Sequence, residues 1–141
     1  MNQSIYVFAI IVFSLVVYFY FSIRKMKRMP SSPDNDKIIH LNEKNFNQTT
    51  KNGISLIDFW ADWCMPCKMM TPVLNELADM TSEKVKICKV NIDVESRLAS
   101  KFSVRSIPTL ILVKNGKEIE RYVGIKNSDF LMNQISKYSN N

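Results

Sequence analysis

Apolar residues are distributed unevenly along the chain. From Ile5 to Ile23, nineteen residues pass without a charge. As a helix, such a run spans roughly 28 Å, about the thickness of a bilayer core. Shorter runs follow. Ile38, Ile39 and Leu41 predict a first short strand, with Asn42 capping a short helix through Phe46. Asn52-Gly53 turns the chain into a strand over Ile54 to Trp60, where Leu56, Ile57 and Phe59 read as buried on both faces. Met70, Val73, Leu74 and Leu77 recur at spacings of three and four. A helix therefore follows Cys67, runs to about Ser82 and bends near Pro72. Val85 to Ile92 predicts a third strand, Leu98, Ala99 and Phe102 a short helical face, and Thr109 to Val113 an apolar strand. Asn115-Gly116 is the strongest hairpin signal, so Lys117 to Val123 pairs antiparallel with that strand. Asn127 or Ser128 caps a last helix with Phe130, Leu131, Ile135 and Tyr138 on one face. The order βαβαβαββα predicts an α/β fold, a central mixed sheet with helices on both faces.

Length and charge refine this picture. The chain has 141 residues and a net charge of +6, enough for one ordinary domain beside the apolar run. Four cations, Arg24, Lys25, Lys27 and Arg28, crowd the end of that run. They read as a juxtamembrane flank, and no aromatic-basic pattern suggests nucleic acid. Tyr6 at one end and Tyr18 and Tyr20 at the other fit interfacial belts. A cleaved signal peptide is the rival reading, but Met1 to Ser4 has no basic residue and no small-residue cleavage site follows. A buried helix would need a larger core than this chain offers. The expected plan is an anchor over 1–28, a linker over 29–36 (M-P-S-S-P-D-N-D) and a domain over 37–141.

The chemistry concentrates in L-I-D-F-W-A-D-W-C-M-P-C-K, Leu56 to Lys68. Cys64 and Cys67 sit where a buried strand hands over to a helix N-terminus. Free N–H groups and aligned dipoles there favour a thiolate, which is the nucleophile. Cys64 is expected at the helix edge, partly exposed, and Cys67 one turn in. Cys64 can attack a partner's disulfide, and Cys67 can then attack Cys64 and release the reduced partner. Pro66 is tolerated in the first turn and stiffens the loop. A zinc half-site is the bland alternative. It needs about four ligands, and Cys88 and His40 are the other candidates, each on a different predicted strand; no metal is expected. Asp58 lies in an apolar strand, where desolvation raises its pKa. It is suited to accept and return the proton of Cys67, although a turn or cap Asp is the bland reading. Cys88 reads as a small buried hydrophobe, and His40 is assigned no role.

F-W-A-D-W-C-M-P-C-K resembles the active-site signature of the thioredoxin family, and the resemblance runs from about Lys37 to Tyr138. Between the cysteines Met65-Pro66 stands where the family usually has Gly-Pro, which bears on the redox potential but keeps the two-thiol chemistry. The resemblance implies the thioredoxin fold and a redox-active Cys64–Cys67 disulfide. It also implies a buried Asp58 with Lys89 near it, and a cis peptide bond before Pro108 facing the cysteines. Ile107 would then offer its backbone to an extended substrate strand, and Gly124 would line the same surface. Trp63 is expected to cover the cysteine loop and, with Met65 and Pro66, to contact partners; Trp60 is expected to pack. Lys68 matches the family's solvent-facing lysine. The implied function is reduction of protein disulfides with no bound cofactor, recharged by an NADPH-dependent thioredoxin reductase. A disulfide oxidase or isomerase of the same fold outside the cytoplasm, and a non-catalytic adaptor, are the alternatives. The basic flank places the redox domain on the cytoplasmic side of a cell membrane, with the outer face as alternative.

Overall fold

A computed structural model describes residues 2–27, 32–81 and 85–139. The chain forms two compact units, Met1–Pro30 and Ser31–Asn141. The described residues of the first form one helix, α1 (Asn2–Lys27). Its Ile5–Arg24 stretch is long and apolar enough to cross a membrane, and none of it is buried. A membrane span and a signal sequence share this signature. Arg28 of the basic flank and residues 29–31 of the expected linker lie outside the described residues.

The second unit runs β1 (Ile39–His40), α2 (Phe46–Thr50), β2 (Ile54–Trp60), α3 (Met65–Met80), β3 (Val85–Asn91), α4 (Ser96–Lys101), β4 (Thr109–Lys114), β5 (Lys117–Val123) and α5 (Ser128–Ser139). Among the described residues the sheet has five strands in the order β1-β3-β2-β4-β5. β2 is parallel to β3 and antiparallel to β4, so the sheet is mixed. The alternation of side chains along β2 explains why it reads as continuously apolar. Ile54 and Leu56 face a core with Met70, Leu74 and Leu77 of α3 and Leu131 and Ile135 of α5. Ile57 and Phe59 face the opposite core, with Phe46 of α2 and Leu98 of α4. Helices therefore cover both faces, as expected.

The hairpin forms at Asn115-Gly116, both with positive φ, 51° and 79°, which matches the twist of the paired strands. Asn127 starts α5, its Oδ1 accepting from the Phe130 N–H at 2.9 Å. Several boundaries differ from expectation, most in α2 and α3. The Asn42 side chain organises a turn, accepting from the N–H groups of Lys44 and Asn45, and the helix begins only at Phe46. α3 begins earlier than expected, at Met65, and ends at Met80; Ser82 lies outside the described residues. The later half of the expected linker is bonded into the second unit. The Asn35 N–H donates to Asn75 Oδ1 at 2.8 Å, and Asn75 Nδ2 donates to the Pro33 carbonyl at 2.9 Å.

Candidate active site

The site forms where β2 ends and α3 begins. Cys64 is the N-cap of α3, in an extended conformation, with Met65 and Pro66 opening the first turn. Pro66 has no N–H, which costs nothing at this position. The Cys67 N–H donates to Cys64 Sγ at 3.2 Å. A helix N-terminal N–H thus points at the first sulfur, where it stabilises negative charge. The two sulfurs are joined in a disulfide of 2.07 Å with their Cα atoms 5.3 Å apart.

Both cysteines are almost fully buried, Cys64 at 3% and Cys67 at 2% exposure. This corrects the expectation of a partly exposed Cys64. Trp60, Ile92 and Ile107 pack against the pair and Ala61, and these come from separate segments. Trp60 packs, as expected, while Trp63 lies at the surface. It stands 66% exposed, and its indole N–H donates to Asp93 Oδ2 at 3.0 Å. Met65 is half-buried and Pro66 exposed.

Ile107-Pro108 is a cis peptide bond, and Ile107 lies against the cysteines. The Gly124 N–H donates to the Pro108 carbonyl at 2.9 Å, which brings Gly124 to the same rim. Gly124 has a φ of +80°, a conformation in which a Cβ is strained. Val123 and Ile125, on either side of it, are exposed apolar residues. Sequence reading missed them because alternate exposure at a strand end carries no chemical mark.

Asp58 is wholly buried on the sheet face that α3 covers, paired in register with Lys89 on one side and Leu110 on the other. Neither of its oxygens has a hydrogen-bond partner among the described residues. Burial pushes its pKa from the ordinary 3.8 up to about 7, against the Lys89 charge, which lowers it, while the Asp34 charge adds to the rise. Lys89 is beside Asp58, yet its Nζ bonds Asp34 Oδ1 at 2.6 Å and sits 4.4 Å from the Trp60 ring centroid. His40 Nε2 lies 3.1 Å from the other Asp34 oxygen. Asp34 was invisible to sequence reading because its prolines and serines mark a linker. Burial pushes the Cys88 thiol up to about 12, which disfavours the reactive thiolate. Among the described residues no group of three or more His, Cys, Asp or Glu side chains is arranged to hold a metal.

The sequence pattern of the family described as Thioredoxin matches residues 37–137. The chain belongs to the thioredoxin family. Over 98 residues it is 52% identical to the thioredoxin of Chlamydia trachomatis, covering 70% of this chain and 95% of that one. Over 101 residues it is 41% identical to the thioredoxin of Bacillus subtilis, covering 72% and 97%. Among solved structures, a mutant thioredoxin from Halobacterium salinarum NRC-1 superimposes with a TM-score of 0.68 at 34% identity, covering 77% of this chain and 96% of that chain. With its Cys64–Cys67 pair intact, this thioredoxin-family chain is a thiol–disulfide oxidoreductase.

Proposed function

We propose that the chain is a membrane-tethered reductase of disulfides in partner proteins, with Cys64 as nucleophile and Cys67 as resolving thiol. The hydrogen bond from the Cys67 N–H to Cys64 Sγ carries this reading. In the reduced protein that donor favours the thiolate on Cys64. The Cys64 thiolate attacks one sulfur of the partner's disulfide. One S–S bond forms, the other breaks, and the partner's leaving sulfur takes up a proton. Asp58 receives the Cys67 proton, directly or through water. The Cys67 thiolate then attacks Cys64 Sγ, expels the second partner thiolate and closes the Cys64–Cys67 disulfide. The second partner thiolate takes a proton in turn. Two electrons pass from the cysteine pair to the partner, and no bound cofactor enters. A thioredoxin reductase drawing on NADPH restores the dithiol.

The partner lies as an extended segment along the Ile107-Pro108 rim. Ile107 presents its backbone, Gly124 leaves the approach open, and Trp63, Met65 and Pro66 form the rest of the contact. Lys89 moderates the charge on Asp58. Residues 5–23 anchor the chain in a cell membrane, and a short connection leads to a redox domain that begins by Pro33. Support for the anchor is the apolar Ile5–Arg24 helix and its basic flank.

Trapping tests the division of labour. Full-length Cys67→Ser in detergent micelles, mixed with a disulfide-containing protein, should accumulate a mixed disulfide through Cys64. Cys64→Ser should trap none, and Cys88→Ser should leave turnover within about twofold of the parent, since a buried inert thiol takes no part. A Cys67→Ser protein that traps nothing contradicts the assignment.

A further inference from the structure

Asp58 and Lys89 are direct neighbours on the parallel ladder of β2 and β3, and a buried carboxyl beside a buried ammonium is expected to pair with it. They do not pair. Lys89 turns to Asp34 at 2.6 Å, and both Asp58 oxygens are left without a hydrogen-bond partner among the described residues. The segment that supplies Asp34 is fixed in place. Asn75 of α3 holds both its Pro33 carbonyl and its Asn35 N–H, the Ile38 N–H donates to the Asn35 carbonyl at 2.9 Å, and His40 holds the second Asp34 oxygen. We propose that Asp34 is a positioning residue for disulfide exchange: by binding the Lys89 ammonium, it keeps that cation from pairing with the Asp58 carboxyl. The inference rests on the proton-transfer role of Asp58 given above.

The consequence is electrostatic. A free Lys89 would favour the Asp58 carboxylate and pull it away from the neutral range, where an acid–base group works best. Asp34 opposes this twice, by occupying the cation and by adding its own negative charge. The groups that bear on Asp58 are Lys89 from β3, Asp34 from the segment before β1, and His40 of β1 acting through Asp34. β4 offers the neutral Leu110, and the residues of α3 and α5 in the core on this face, Met70, Leu74, Leu77, Leu131 and Ile135, carry no charge.

The test is a carboxyl titration by carbon-13 NMR on the oxidised full-length protein in detergent micelles, labelled at aspartate. Asp58→Asn assigns the Asp58 signal. The parent midpoint should lie near 7. Asp34→Asn should lower it by roughly one pH unit, the lower end for an opposite charge brought close. Lys89→Gln should raise it, and in that background Asp34→Asn should shift the midpoint by less than half as much. An unchanged midpoint in Asp34→Asn overturns the proposal. So does an equal shift with and without Lys89, because Asp34 would then act by its own charge alone. The pH profile of protein-disulfide turnover should move with the midpoint. A profile that stays in place while the midpoint moves would instead remove the proton role of Asp58, and with it any service of Asp34 to the reaction.

Discussion

Asp58 carries a cost that can be measured. In the folded chain its carboxyl keeps its proton to about pH 7, whereas in the unfolded chain it releases it near 4. Folding therefore takes up a proton between these values. The stability from this group is fully present below about pH 4, falls as pH rises, and is lost above about 7. One pKa unit is about 1.4 kcal/mol, so the loss is on the order of 4 kcal/mol. Asp58→Asn should remove the slope, stabilise the protein at pH 8 by a similar order, and lower turnover. Urea unfolding at pH 5 and pH 8 reads this directly; equal stability of the two proteins at pH 8 would contradict it. The burial of Asp58 and Cys88 was legible because each interrupts an apolar run. The burial of Cys64 was not, because Trp60, Ile92 and Ile107 come from separate segments and close over it only in the folded chain. Asp34 was hidden for the same reason, since its contacts lie on β1 and β3.

At the scale of elements, local chemistry was readable wherever one residue type is needed at one place. Asn115-Gly116 supplies the positive φ of a tight hairpin. Asn127 supplies the cap of α5, and Asn127→Ala should lower the unfolding free energy by about 1 kcal/mol without changing turnover. Asn42 misled because its oxygen serves a turn as readily as a helix end. The central strand was clear because it is apolar on both faces. Phe59 is fully buried and stacks at a tilt on Phe102 with ring centroids 5.7 Å apart. Phe59→Ala should destabilise by about 3–5 kcal/mol, measured by thermal or urea unfolding.

For the whole molecule, the proposed anchor and its side can be tested apart from the chemistry. Positive charge beside a span stays in the cytoplasm, so Arg24, Lys25, Lys27 and Arg28 predict a redox domain facing inward. A membrane-impermeant maleimide applied to intact cells should label reduced Cys64 only after permeabilisation. Labelling without it would place the domain outside. Dithiol exchange with protein disulfides is the central proposed activity, and insulin reduction measures it most directly. The full-length protein, supplied with NADPH and a thioredoxin reductase, should reduce insulin well above the rate without it, and Cys64→Ser should abolish the gain. No gain from the parent protein would contradict the reductase reading.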